Sequence, residues 1–190
     1  MTAMFNSAWS GMALIDDLNR GVTARFLVSP VRREALITGR LVKEAVVVVL
    51  QSLIIVALAL IVGASFPGGV GGVAVLIAVA ALLGALFGAL SNGFALIMRQ
   101  EEALIGAVQF IALPLTFLSA TFLQASLMPA WIRHVSDFNP VNWGVVAGRA
   151  ASSTHADWGL IASRVGFLAA LLALCLAFAT RAFRSYQASV

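Results

Sequence analysis

Residues 45–98 read AVVVVLQSLIIVALALIVGASFPGGVGGVAVLIAVAALLGALFGALSNGFALIM, 54 consecutive positions without one charged side chain. A helix crossing the hydrocarbon core of a bilayer takes about 20 mostly apolar residues. The run is therefore long enough for two crossings, and the glycines of Phe66-Pro67-Gly68-Gly69-Val70-Gly71-Gly72 fall near its middle. Hydrocarbon offers no partner to a bare backbone amide, so the expected form of each crossing is a helix. A transmembrane barrel needs alternating polar and apolar residues, and no such alternation is visible. The sequence thus describes an all-α integral membrane protein.

Working outward from this run, four spans are expected, at 45–65, 73–97, 103–125 and 160–180. They form a single membrane domain over residues 1–190. The remaining parts are an N-terminal stub at 1–15, a basic segment at 16–44 and a segment at 126–159. Within the last, residues 126–150 alternate apolar and polar groups around Pro129, Pro140, Trp131 and Trp143. It reads as short interfacial helices on one surface.

The chain has 190 residues, 61% hydrophobic and 11% charged, with a net charge of +4. A basic balance can mark a nucleic-acid binder, but here most of the basic residues stand beside expected membrane ends, where they set orientation. No nucleic-acid partner is expected, and the lipid bilayer is the evident one. Arg20, Arg25, Arg32, Arg33, Arg40, Lys43, Arg99, Arg181 and Arg184 fall on one side; Arg133, Arg149 and Arg164 fall on the other. The richer side is the cytoplasm. Residues 16–44 and the C-terminus are then cytoplasmic in a multi-pass protein of the inner (plasma) membrane. Trp131, Trp143 and Trp158 all fall outside, where an aromatic belt sits. Cys175 is the single cysteine, so no disulfide can form within the chain. The first 14 residues lack the basic leading region of a secretory signal.

Residues 4–15 are apolar but too short to span. They read either as an interfacial helix or as the cytoplasmic end of a longer one. In the basic segment, Gly21 can bend a helix, and Ser29-Pro30 is a helix start, with Ser29 as cap and Pro30 at the first helical position. The expectation is a short helix around 18–28, a corner at 29–30 and a second helix entering the membrane near residue 45. Two roles stay open for the first: lipid contact at an anionic surface, or docking of a cytoplasmic partner.

Several motifs in order carry a resemblance. Asp17-x-x-Arg20-Gly21-x-x-x-Arg25-x-Leu27-x-Ser29-Pro30-x-x-Arg33, then Gly39-Arg40, resembles the segment between the second and third membrane helices of ABC-2 type export permeases, the daunorubicin-resistance group above all. Arg99-x-Glu101-Glu102 is similar to that family's short inner turn. Pro114-Leu115-x-Phe117-Leu118-Ser119-x-x-Phe122, then Met128-Pro129-x-Trp131, Phe138-Asn139-Pro140-Val141 and Arg149, resembles its fifth helix and the external segment after it. The resemblance implies a permease subunit of an ATP-driven exporter, paired with a second permease subunit (homo- or heterodimer) and with a separate cytoplasmic ATP-binding subunit. It implies that Asp17, Arg20, Gly21, Arg25, Phe26, Leu27, Ser29 and Pro30 form the coupling helix that meets the ATPase, and that the external segment forms a gate. Family members usually have six helices. Four are expected here, with residues 4–15 as the stub of the second, so roughly 60–80 further residues upstream, including one span of about 20, are expected.

Other chemistry is hard to place. There is no G-x-x-x-x-G-K-[ST] phosphate loop, so ATP hydrolysis is expected in a partner and no cofactor in this chain. Gly68-Gly69-Val70-Gly71-Gly72 has no following lysine and reads as a flexible hairpin. His134 and His155 stand 21 residues apart, so no metal site is expected. Ser91-Asn92-Gly93 lacks the flanks of a nucleophile elbow. Gly84-Ala85-Leu86-Phe87-Gly88, with Asn92 one turn on, is a small-residue seam where helices can approach closely. It serves a subunit interface or substrate path, or ordinary packing within one chain. Gln51, Gln109, Thr116, Ser119 and Thr121 are polar at membrane depth. Gln109, Thr116 and Phe117 suit the wall of a path for an amphiphilic drug-like molecule or lipid, and helix–helix hydrogen bonding explains the polar ones equally. No span has a charge at mid-depth, where ion-coupled carriers commonly have one. That disfavours a secondary carrier; a non-transport scaffold or inactive truncated permease is the other alternative.

Overall fold

The computed structural model describes residues 2–20, 33–121 and 129–188, and these are helical with no strand among them. In chain order the helices are α1 (Thr2–Ala8), α2 (Ser10–Asn19), α3 (Arg33–Ile61), α4 (Gly69–Met98), α5 (Glu101–Phe117), α6 (Ala130–Ser136), α7 (Pro140–Ser152) and α8 (Trp158–Ala188). Among the described residues, three stretches are long and apolar enough to cross a membrane: Val42–Ile61, Gly69–Met98 and Trp158–Phe183. The β-branched run Val46–Val49 has modest helix propensity in water, but in hydrocarbon the helix is the form that pairs every backbone group within the segment.

The ends of these helices follow local chemistry. α3 closes with Gly63 at φ 91°, where Gly63 N donates to Leu60 O and Ala64 N to Ala59 O. This paired closure satisfies two of the free carbonyls at a helix end and favours glycine at the left-handed position. α4 ends at Arg99, itself left-handed at φ 54°, with its N–H on Ala95 O. Extended Gln100 then starts α5, whose first turn carries Glu101 and Glu102, a placement that complements the positive end of the helix. Asp157 Oδ1 accepts from Leu160 N at the start of α8.

α4 is the hub. It packs against α8, α1, α3, α7, α2 and α5, and it is the most buried of the three long helices, its buried residues concentrated between Val79 and Leu96. Its neighbours' directions follow from what faces its residues. Glu44 and Val48 of α3 face Gly88 and Gly84, so α3 runs antiparallel to α4. Phe178 of α8 lies over Gly93, with its ring 5.7 Å from that of Phe94. Gly144 and Ala151 of α7 lie on Leu83 and Gly72 respectively, so α7 also runs antiparallel.

Several expectations shift. The span expected at 103–125 is a helix only as far as Phe117; its 17 residues rise about 25 Å, less than the ~30 Å of hydrocarbon. Pro114 lies inside its last turn, where the missing N–H loosens the ladder. The hairpin lies four residues earlier than expected. The turn covers 62–68, and Gly69 already begins α4. Gly68 and Gly72 are small for a packing reason: a Cβ on either would lie 2.1 or 2.2 Å from the carbonyl oxygen of Ala151. α7 is therefore packed along the first half of α4. Finally, residues 4–15 are no surface helix. Met4, Ser7, Ala8, Leu14 and Ile15 are buried against α4.

Candidate functional site

The first polar joint is a break in the N-terminal helix, at Trp9. Met12 N bonds to Trp9 O there, which leaves the Ala8 carbonyl and the Gly11 amide without their usual helical partners. One side chain of α4 serves both. Ser91 Oγ donates to Ala8 O at 2.5 Å and accepts from Gly11 N at 3.1 Å. Beside it, Asn92 Nδ2 donates to Ser10 Oγ at 3.1 Å and to Gly88 O at 2.7 Å. Residue 11 is glycine because a Cβ would come within 2.6 Å of both Ser91 O and Ser91 Oγ. Two buried oxygens at this joint, Ser7 Oγ and Asn92 Oδ1, have no hydrogen-bond partner.

The glycines of the small-residue seam lie here too. A Cβ on Gly84 would be 2.7 Å from Val48 Cγ2 and 3.1 Å from Ser7 Oγ; one on Gly88 would meet Glu44 Cγ and Ser10 Oγ at 3.7 Å. α1, α2 and α3 of the same chain therefore fill this seam.

The second joint ties α5 to α7. α5 ends at Phe117, so the Leu115 carbonyl is free of the ladder and accepts from Asn139 Nδ2 at 2.6 Å. The same Asn139 caps α7, its Oδ1 accepting from Val141 N at 2.9 Å, with Pro140 at the first turn. Asn142 is a second bridge: Oδ1 accepts from Ala120 N at 3.0 Å and Nδ2 donates to Ser136 O at 2.9 Å. Ser119 Oγ donates to Thr116 O at 2.7 Å. This joint lies one third of the way along α4, since Val141 and Gly144 share a cavity wall with Val79 and Leu83. Two part-length helices thus meet there end to end. Such broken helices exist at membrane depth only where the freed backbone is covered by protein or lines a cavity.

Of the residues read from sequence as a coupling helix, Asp17 and Arg20 lie at the end of α2, where Arg20 Nε meets Asp16 Oδ1 at 2.9 Å. Gly21, Arg25, Phe26, Leu27, Ser29 and Pro30 fall outside the described residues. The three path residues are not brought together. Thr116 is buried, on the inward stripe of Leu104, Val108 and Ala112, whereas Gln109 and Phe117 are on the exposed side with Phe110 and Leu113. Sequence reasoning found Asn92 but not Ser91, Ser10 or Gly11. The available signal was a second small-polar pair, Ser10-Gly11, opposite Ser91-Asn92.

Comparison with known proteins now bears on this arrangement. The sequence pattern of the ABC-2 type transporter family matches residues 1–152. The chain belongs to that family. It is 26% identical over 186 residues to the daunorubicin resistance ABC transporter permease protein DrrB1 of Streptomyces coeruleorubidus. That alignment covers 96% of this chain and 64% of the relative, so the chain spans a little under two thirds of the length of the curated protein it matches. No solved structure matches it. The chain is thus an ABC-2 family member with three helices, among the described residues, long and apolar enough to cross a membrane.

Proposed function

We propose that this chain is the membrane-spanning permease subunit of an ATP-binding cassette exporter that moves an amphiphilic drug-like molecule or lipid outward. A separate cytoplasmic ATP-binding subunit supplies the energy, and a second permease subunit completes the pathway. Family membership and the drug-resistance relative support the class of activity. The absence of a phosphate-loop motif from this sequence supports an external source of drive. The resemblance of residues 16–44 to the family's coupling segment supports the cytoplasmic contact, through Asp17, Arg20, Gly21, Arg25, Phe26, Leu27, Ser29 and Pro30.

The observation that carries the reading is the first joint. α2 runs directly into the basic segment and is hydrogen-bonded, through Ser91 and Asn92, to the hub helix. A movement imposed on the segment by an ATPase is passed to α4 at these bonds. From α4 it reaches α7 through the close contacts at Gly144 and Gly72, and α5 through the Asn139 and Asn142 bridges. The exposed face of α5, with Gln109 and Phe117, is then the pathway wall that the second subunit completes, and Thr116 supports it from behind.

The test is Arg25→Glu in the full chain, expressed with its nucleotide-binding subunit. Copurification of that subunit is expected to fall severalfold while membrane insertion is unchanged. Unchanged copurification counts against the coupling role.

A further inference from the structure

α4 and α7 touch closely at two places and stand apart between them. At Gly144 a Cβ would lie 2.3 Å from Leu83 Cδ1, and at Gly72 a Cβ would lie 2.2 Å from the Ala151 carbonyl oxygen. One turn on from Gly144, the same position at Gly148 has only Leu76 Cγ, at 4.0 Å. The gap is a crevice of about 230 Å³, with Met4 of α1 as its third wall. It is apolar apart from one charged residue in its wall, Arg149, which is exposed.

Two properties of this crevice decide what fits it. Pockets that enclose whole drug-sized molecules measure about 300–1,000 Å³, so this one is too small for a polycyclic amphiphile but takes part of a slender chain. An apolar slot with an exposed arginine in its wall matches an apolar tail joined to an anion, because arginine suits phosphate oxygens geometrically as well as in charge. In a membrane, the abundant molecule of that form is an anionic phospholipid.

We propose that the crevice between α4 and α7 binds one acyl chain of an anionic phospholipid whose phosphate lies against Arg149. This lipid fills the place where the two helices part and is separate from the transported molecule. The site stands whether or not the chain exports anything.

The experiment is native mass spectrometry of the full chain, purified and released from micelles carrying equal amounts of phosphatidylglycerol and phosphatidylcholine. One retained lipid per chain is expected, with phosphatidylglycerol favoured about fivefold, the factor that one basic group gives beside an anionic lipid surface. Arg149→Gln is expected to bring the ratio close to one while a lipid is still retained. Gly148→Leu, whose Cβ has only Leu76 Cγ nearby, at 4.0 Å, is expected to abolish retention of both lipids. Arg133→Gln, which alters a cation outside the crevice, is expected to leave the ratio unchanged. Equal retention of both lipids by the unaltered chain overturns the proposal. So does an Arg149→Gln variant that keeps the preference, or an Arg133→Gln variant that loses it equally.

Discussion

Adding one methyl group at Gly11 tests whether the break in the N-terminal helix is held by contact with α4. The Cβ of Gly11→Ala would sit 2.6 Å from Ser91 O and Ser91 Oγ, where ordinary contact begins at 3.4 Å. α2 and α4 must then part by roughly 0.8 Å, the difference between those two distances. Overpacking of this kind costs about 1–3 kcal/mol. Parting also stretches the Gly11 N–Ser91 Oγ bond; bonds between helices in membranes average about 0.6 kcal/mol. Alanine returns up to about 1 kcal/mol in helix propensity. The net expectation is a loss of about 0.5–3.5 kcal/mol. Removing the hydroxyl as well, in Gly11→Ala with Ser91→Ala, does not restore stability, because the Ser91 carbonyl is as close as the hydroxyl. Gly88→Ala is the contrasting change: its nearest neighbours lie at 3.7 Å, so it is expected to be neutral or to stabilise by up to about 1 kcal/mol. Equilibrium unfolding in mixed micelles with increasing dodecyl sulfate, followed by tryptophan emission, measures all three, since Trp9 stands at the break. A Gly11→Ala variant as stable as the parent would falsify the close approach, and so would equal losses at Gly11 and Gly88.

The α5–α7 joint and the orientation of the chain each give a further expectation. Asn142→Ala leaves the Ala120 amide without its partner at a buried position and removes one of the two bonds at the Ser136 carbonyl, which keeps that from Asn139 N. A stability loss of about 1–3 kcal/mol is expected, with faster proteolysis between α5 and α6; proteolysis at the parental rate refutes the bridge. For orientation, single cysteines are placed at exposed positions in a Cys175→Ser background. Ser153→Cys is expected to react with a membrane-impermeant maleimide on intact cells, and Gly39→Cys only after permeabilisation. The reverse pattern places the basic segment outside the cell and ends the coupling proposal.

The helical membrane class and the positions of the long helices were legible because hydrocarbon allows so few alternatives. A 54-residue uncharged run can satisfy its backbone in few other ways. The α3 and α4 boundaries moved by several residues because caps, not hydropathy, set them. Gly63 ends α3 two residues before the expected limit of the span, and α4 already begins at Gly69, between Gly68 and Gly72, which lie bare against the Ala151 carbonyl. The halt of α5 at Phe117 was not legible. Leu118-Ser119-Ala120-Thr121 carry no proline or glycine to stop a helix, and the local reason is the Leu115 carbonyl taken by Asn139, 24 residues away. The same holds for the first joint. Asn92 could be singled out as polar at depth, but its pairing with Ser10, 82 residues distant, depends on two helices meeting in one register.

That register points to why a transport subunit keeps polar groups where an apolar contact would insert just as well. Between two helices in lipid there is little hydrophobic drive to associate, since lipid tails are as apolar as leucine. Apolar faces such as that of α3, with Val46, Leu50, Ile54 and Leu58 exposed, can slide past a neighbour or exchange it for lipid at small cost. A hydroxyl that holds one carbonyl and one amide at the same time cannot slide, because a shift of one residue loses both bonds. Ser91 fixes α2 to α4 in this way, and Asn142 fixes α7 to the end of α5. In the proposed cycle these two places convert a displacement at the inner surface into a displacement of the hub. The glycines at positions 11, 72 and 144 keep the helices close enough that the displacement is not taken up by slack.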